Sequence, residues 1–324
     1  MLVTGGSGFV GAHVIAALRA RGWRVRALVR GGGPGAWPPD VETANAAGLD
    51  DPAALAAATA GCEVVVHLAG RAHVTRERSA ADSATFDAVN AAGTRAVATA
   101  AAAAGARLVV HASSIAAVAT TAVAPVRDDT PPWPDTPYGR SKLAAEAGLR
   151  AALAGAETAG VSLRPPMMYG PGMRGNPLRL FSLVARGVPL PLASVRNRRS
   201  VLYVANFAAV VAAVAGRRWT GVHEFAVADE PALSTAEFAR AVGRALGRPA
   251  RLVPVPMRLL RVLGSAGSAV RRVAPFPVDA TVVDRFSGSL EVDDARLRGV
   301  LGPVPAVAPV EALARTAEWF RGAG

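Results

Sequence analysis

Short β-branched apolar runs alternate with alanine-rich stretches of helical period through the first half of the chain. That is the pattern of βαβ units around a parallel sheet covered on both faces. It predicts strands at Leu2–Thr4, Arg24–Val29, Val41–Ala44, Glu63–Leu68, Arg107–Ala112 and Val161–Arg164. Helices are expected between them over Val10–Arg21, Pro52–Thr59, Asp82–Ala104 and Pro137–Ala154. The order is that of a doubly wound α/β fold. After Arg164 the texture turns to proline, glycine and arginine through Arg199, then returns to a helix-and-strand pair over Asn206–Val227. A second irregular block, Pro249–Pro277, precedes an expected last helix at Val310–Arg321. Residues 1–165, with 201–227 returning to them, are therefore read as the sheet domain, and 166–200 with 228–324 as a smaller C-terminal substrate lobe. Ligands are expected between the two.

Composition narrows the class. At 324 residues, 51% of them hydrophobic, the chain can bury roughly three quarters of its extended surface, and disorder of the whole is excluded. The single cysteine, Cys62, excludes an internal disulfide framework and a cysteine-based zinc site. It fits a reducing compartment, and no basic, apolar leader opens the sequence, so a cytoplasmic location is expected. The longest uncharged apolar stretches, such as Val204–Gly216, are too short to cross ~30 Å of hydrocarbon, so no membrane span is expected. Thirty-six basic against twenty-four acidic residues give +12, but the arginines are scattered, with no basic tail or aromatic array for stacking bases. That argues against nucleic acid; a phosphorylated substrate accounts for the sign equally well. The arginine-bearing segment Met257–Val273 could lie on an anionic membrane surface, but Gly264–Ser268 interrupts its apolar face, and packing against its own lobe is the simpler reading.

Chemistry enters at Thr4-Gly5-Gly6-Ser7-Gly8-Phe9-Val10-Gly11, between the first strand and the first helix. A diphosphate needs a sharp backbone turn, free N–H groups at a helix start and no side chain in the way. Gly6, Gly8 and Gly11 fit the GxGxxG spacing, and Gly5, Gly8 and Gly11 fit GxxGxxG; in this context either reads as a Rossmann dinucleotide loop. No Asp or Glu occurs from Ala12 to Pro39 to take the ribose hydroxyls of NAD, while Arg26 and Arg30 flank the second strand. A guanidinium there suits a 2'-phosphate, which favours NADP(H), with NAD(H) as the alternative.

Every basic residue but one is arginine, and the exception, Lys142, lies four residues after Tyr138, one of only three tyrosines. On a helix the two share a face, so the ammonium can lower the phenol's pKa and hold it ready for proton transfer. A second hydroxyl is needed for the reacting oxygen; Ser113 and Ser114 end the fifth predicted strand, and Ser114 is the choice. His67, His73 and His111 have no partner at zinc-ligand spacing, so no metal is expected.

Together these residues resemble the extended short-chain dehydrogenase/reductase family of nucleotide-sugar epimerases, dehydratases and reductases. The likeness runs through Thr4–Gly11, Val64-Val65-Val66-His67-Leu68-Ala69-Gly70, Val89-Asn90-Ala91-Ala92-Gly93-Thr94, Ser114, Tyr138, Lys142, Leu163-Arg164-Pro165-Pro166 and Tyr169-Gly170-Pro171-Gly172. It implies Ser114, Tyr138, Lys142 and Asn90 as catalytic residues. It implies Gly5, Gly8, Phe9, Val10, Gly11, Arg30, Leu49, Leu68, Ala69, Gly70, Tyr138, Lys142 and Pro166 as the cofactor site. Gly175–Leu178, Val195–Val204 and Gly70–Val74 look like the branch acting on UDP-sugars. By that likeness His73, Ser114, Asn176, Arg199 and Arg285 face the substrate, and a homodimer built on Asp82–Ala104 and Pro137–Ala154 is expected. Two departures stand out. The acidic residue after the third strand is replaced by Gly48, so the adenine contact is missing or shifts to Asp50 or Asp51; the dehydratases' Asp-Glu pair is replaced by Ile115 and Ala116, which disfavours elimination. The expected activity is hydride transfer at C4 of a UDP-hexose, favoured as reduction of a 4-ketosugar, with 4-epimerisation or a non-catalytic NADP-binding sensor as alternatives.

Overall fold

A computed structural model describes residues 1–31, 37–72, 84–256, 258–259 and 287–322. His73, Arg285 and all but two residues of 257–273 lie outside the described residues. The chain runs β1 (Leu2–Thr4), α1 (Phe9–Ala20), β2 (Arg26–Val29), β3 (Glu42–Asn45), α2 (Pro52–Thr59) and β4 (Val64–His67). A π-helical stretch, Asp87–Ala92, then continues into α3 (Gly93–Ala103), followed by β5 (Leu108–Ala112) and a 3-10 turn, Ile115–Ala117. Next come α4 (Pro137–Ala152), β6 (Ala159–Arg164), β7 (Met167–Tyr169), α5 (Asn176–Ala185), β8 (Val201–Tyr203), α6 (Val204–Gly216) and β9 (Val222–Ala226). α7 (Thr235–Ala245), α8 (Ala295–Leu301) and α9 (Pro309–Gly322) complete it.

Seven parallel strands form the central sheet in the order β3-β2-β1-β4-β5-β6-β9. The order reverses between β1 and β4, which places the ligand crevice of an open α/β sheet at their carboxyl ends. Successive residues of a strand point to opposite faces, so each strand feeds two cores. Val3, Val64, Val66, Val110 and Leu163 pack with α1 and α6 through Val14, Leu18, Phe207 and Val211. Leu2, Val65 and Val109 pack on the other side with α2, α3 and α4 through Leu55, Val97, Ala101 and Leu149. At about 1.5–3 kcal/mol for each large side chain fully removed from water, these two layers fix the strand order and register.

Besides shifts of one or two residues at strand ends and a helix at Asn176–Ala185 inside the block read as irregular, two details differ from the sequence reading. β3 is one residue later than expected and largely exposed along Glu42-Thr43-Ala44-Asn45, because it is an edge strand with a solvated face. β8 pairs with β7 in a separate two-stranded parallel sheet, Met167 to Val201 and Tyr169 to Tyr203, while its Leu202 packs in the core of the large sheet, which the chain re-enters as β9. A third core of Tyr169, Met173, Phe181, Tyr203, Phe238, Val242 and Leu313 holds the C-terminal lobe.

Candidate active site

The glycine loop fits a diphosphate for steric reasons visible at each position. Gly5 has φ +69, and a Cβ there would lie 2.5 Å from the Ala69 nitrogen at the end of β4. A Cβ on Gly11 would lie 2.4 Å from the Gly5 carbonyl oxygen, so only glycine lets α1 begin this close to β1. Gly8 caps α1 with no side-chain hydrogen bond, which leaves the helix's first N–H groups facing outward. Of the two spacings, Gly5, Gly8 and Gly11 is the one that the packing at the loop's two ends requires. Phe9 and Val10 turn inward toward the second lobe: the Phe9 ring lies under Gly172, and His13 Nε2 meets the Pro171 carbonyl at 2.9 Å. The indole of Trp37 lies over Gly6, and its buried Nε1 has no partner among the described residues. Sequence reasoning passed over Trp37 and His13, since nothing in local pattern joins either to the loop.

The residues expected to react converge at the carboxyl ends of β4 and β5. Thr136 caps α4 by accepting the Gly139 N–H at 3.0 Å, and Pro137 fills the first helical position. Tyr138 therefore sits in the first turn, half-buried with its ring 6.0 Å from Phe86. One turn on, Lys142 is buried and its Nζ donates to the Ala112 carbonyl, the last residue of β5, at 2.8 Å. A Cβ on Gly70 would lie 3.2 Å from that Nζ and 3.1 Å from Asn90 Oδ1, so Gly70 is the gap in which helix α4, the π stretch and β4 meet. Burial lowers the Lys142 pKa to about 8, against the opposing pull of Glu146.

The serine pair divides its work. Ser113 Oγ donates to Glu146 at 2.5 Å and is spent there. Ser114 caps the 3-10 turn, accepting the Ala116 N–H at 3.2 Å, and its own proton has no acceptor among the described residues. Asn90 accepts the Arg71 N–H at 2.8 Å and donates to the Arg71 carbonyl at 3.1 Å, clamping the backbone just past Gly70. Its location in a π-helical stretch was not legible from helical period, and such stretches recur at functional sites.

Behind these groups runs a directed chain of hydrogen bonds. Thr94 donates to the Asn90 carbonyl at 2.6 Å, so His67 Nε2 donates to Thr94 at 3.1 Å, and Thr4 donates to His67 Nδ1 at 2.7 Å while accepting the Ala69 N–H. The arrangement requires a neutral His67, and burial with the nearby Lys142 charge lowers its pKa to about 3. His111 stacks on His67 at 5.7 Å and is held neutral by the same causes.

Other expected residues are placed as follows. Leu49 packs on Gly93 at the start of α3, Leu68 and Ala69 follow β4, and Pro166 is buried after β6. Arg30 is exposed directly after β2. Arg26 stands at the opposite end of that strand, bound to Glu42 and to the Ala58 and Ala60 carbonyls, so it does not flank the ligand edge. Asp51 caps α2 through the Ala54 N–H, which leaves Asp50 as the exposed acid after Gly48. Asn176 is the exposed first residue of α5, while Arg199 is half-buried with its guanidinium on the Gly288 carbonyl at 2.9 Å. A cavity of about 290 Å³ lies elsewhere, lined by residues of 128–132, α4 and Arg164, and includes none of Ser114, Tyr138 or Lys142.

Comparison with known proteins gives the family. Residues 1–228 match the model of the NAD dependent epimerase/dehydratase family. The chain is 31% identical over 260 residues to a UDP-glucose 4-epimerase of Vibrio cholerae, covering 79% of this chain and 76% of that one. It is 33% identical over 255 residues to a ceramide reductase of Caulobacter vibrioides, covering 78% and 73%. Among solved structures, the UDP-glucose 4-epimerase of Thermus thermophilus in complex with NAD superposes with a TM-score of 0.75 at 25% identity, over 100% of this chain and 99% of that one. The chain belongs to the NAD-dependent epimerase/dehydratase family, enzymes of the extended short-chain dehydrogenase/reductase type.

Proposed function

We propose that the protein is an NAD(P)-dependent oxidoreductase acting at C4 of a UDP-hexose, working as the reductase of a 4-keto-hexose. The observation that carries the reading is the meeting of Tyr138, Lys142 and Ser114 at the carboxyl edge of β4 and β5, beside a glycine loop whose tight turn and open helix start suit a diphosphate. The chemistry a bound nicotinamide supplies is hydride transfer. Tyr138 then gives its phenolic proton to the carbonyl oxygen, and Ser114 donates a hydrogen bond to that same oxygen as charge develops on it. Lys142 keeps the phenol acidic and offers its remaining N–H donors to the nicotinamide ribose. Asn90, through Arg71, holds the backbone against which the ribose would lie.

Arg30 and the absence of acids from Ala12 to Pro39 favour NADP(H), and hence the reducing direction. The likeness to a protein named for reduction supports that direction as well. In the second lobe, Asn176 and Arg199 are the groups suited to the sugar diphosphate; the Gly288 carbonyl that Arg199 holds would orient its guanidinium. The buried free thiol Cys62 fits a cytoplasmic enzyme, and the alanine-rich outer faces of α3 and α4 offer a surface for a homodimer.

The likeness to UDP-glucose 4-epimerases favours one other reading, C4 epimerisation by the same three residues with tightly held NAD. The ultraviolet spectrum of the purified protein and two incubations separate them. UDP-4-keto-hexoses consume NADPH if the reductase reading holds. UDP-hexoses that epimerise with no added cofactor and no NADPH consumption discard it.

A further inference from the structure

Glu146 and Arg164 form an ion pair beneath the site, with 2% and 7% of their side chains exposed. Arg164 donates from Nε and Nη2 to the two carboxylate oxygens at 2.9 and 2.8 Å, and from Nη1 to the Asp128 carbonyl at 3.2 Å. Ser113 adds the 2.5 Å bond to Oε1. Removing two charges this far from water is expensive, and apolar replacements of similar volume often match or exceed such a pair in stability. Stability alone therefore does not account for it, whereas its neighbours do. Ser113 adjoins Ser114 in sequence, and Glu146 follows Lys142 by one helical turn on the same face.

We propose, resting on the roles given above to Tyr138, Lys142 and Ser114, that the Ser113–Glu146–Arg164 triad is a positioning device for that site. It pins the end of β5 from which Ser114 projects, and it supplies the carboxylate that keeps the buried Lys142 protonated. The charged and titratable groups around Lys142 are consistent with this. Tyr138 and Glu146 share its helix, His67 faces it from β4 and His111 from β5, and both imidazoles are neutral. Glu146 thus provides the negative charge, and Arg164 on β6 holds it in place while itself feeling Glu224 of β9 and Asp128. Burial pulls the ammonium toward neutrality and Glu146 pulls it back.

Lys142 is the sole lysine, so protein labelled with ¹³C at lysine Cε gives one resonance whose titration reads this amine directly, without substrate or cofactor. The midpoint should lie near about 8 in the parent protein. Glu146→Gln should lower it by about one pH unit, and Arg164→Gln should leave it unchanged or raise it. The double variant Glu146→Gln/Arg164→Gln leaves neither member of the ion pair without its partner, so it reports even if Glu146→Gln does not fold, and it too should lower the midpoint. The alkaline limb of kcat should move down in step with it while KM changes little. A purely structural triad would change the melting temperature and leave the midpoint in place; a folded double variant with the parent midpoint overturns the proposal. If the midpoint moves as expected but Tyr138→Phe still turns over, the reading of the site fails and the electrostatic role of the triad stands.

Discussion

Lys142 and the paired histidines set opposite pH limits. In the proposed mechanism Lys142 acts as the ammonium beside Tyr138, and burial draws its pKa to about 8. Activity should therefore be present below about pH 8 and fall as pH rises through that value, which a kcat/KM profile reads directly. His67 and His111 act on stability instead. The native state keeps both neutral, His67 down to about 3, whereas the unfolded chain takes up protons as pH falls below the ordinary histidine value of 6.5. Their contribution is intact above about 6.5 and is lost progressively as pH drops toward 3, so the melting temperature should fall between about pH 7 and pH 5. His111→Phe, which keeps a ring against His67 and removes a buried nitrogen without a partner among the described residues, should flatten that fall. A melting temperature that stays level from pH 7 to 5 in the parent protein would contradict the assignment. At this scale the sequence was most informative where composition was extreme: a lone lysine four residues past a rare tyrosine stands out. Glu146 did not, because an acid on a helix face reads as a solvated charge until its buried partner, eighteen residues on, is known.

Among the elements, the glycine loop carries the sharpest steric test. Gly11→Ala would press a methyl against two backbone carbonyls, those of Gly5 at 2.4 Å and Gly6 at 2.5 Å, neither of which can swing aside as a side chain could. It should destabilise the protein by about 1–3 kcal/mol and abolish dinucleotide binding. Gly299→Ala in α8 meets nothing within 4 Å and should stabilise by about 0.5–1 kcal/mol with binding unchanged. Denaturant unfolding and dinucleotide titration check the pair. The loop, α1 and the first six strands were legible because apolar period and glycine chemistry act locally. The π-helical turn at Asp87–Ala92 was not, since one extra residue in a turn leaves the apolar pattern nearly unchanged. β3 lost a clear boundary for the opposite reason: an edge strand of Glu42-Thr43-Ala44-Asn45 has little apolar pattern to read.

The whole molecule brings together parts that lie far apart in sequence. Ser114 is fixed by a turn whose Ile115 N–H bonds to the Pro165 carbonyl, and the loop after it is stitched to Leu290 and Val292 through Val126. The start of α1 meets the second lobe through His13 and Pro171. Pairing of β7 with β8 and the place of β9 at the sheet edge depend on such distant contacts, which no local pattern encodes. In the proposed function this assembly holds one phenol beside a dinucleotide crevice, and replacing its oxygen tests that most directly. With UDP-4-keto-hexose and NADPH, Tyr138→Phe should lose at least about a hundredfold in turnover while its dinucleotide affinity stays within about threefold of the parent. Turnover near the parent rate in that variant would contradict the account.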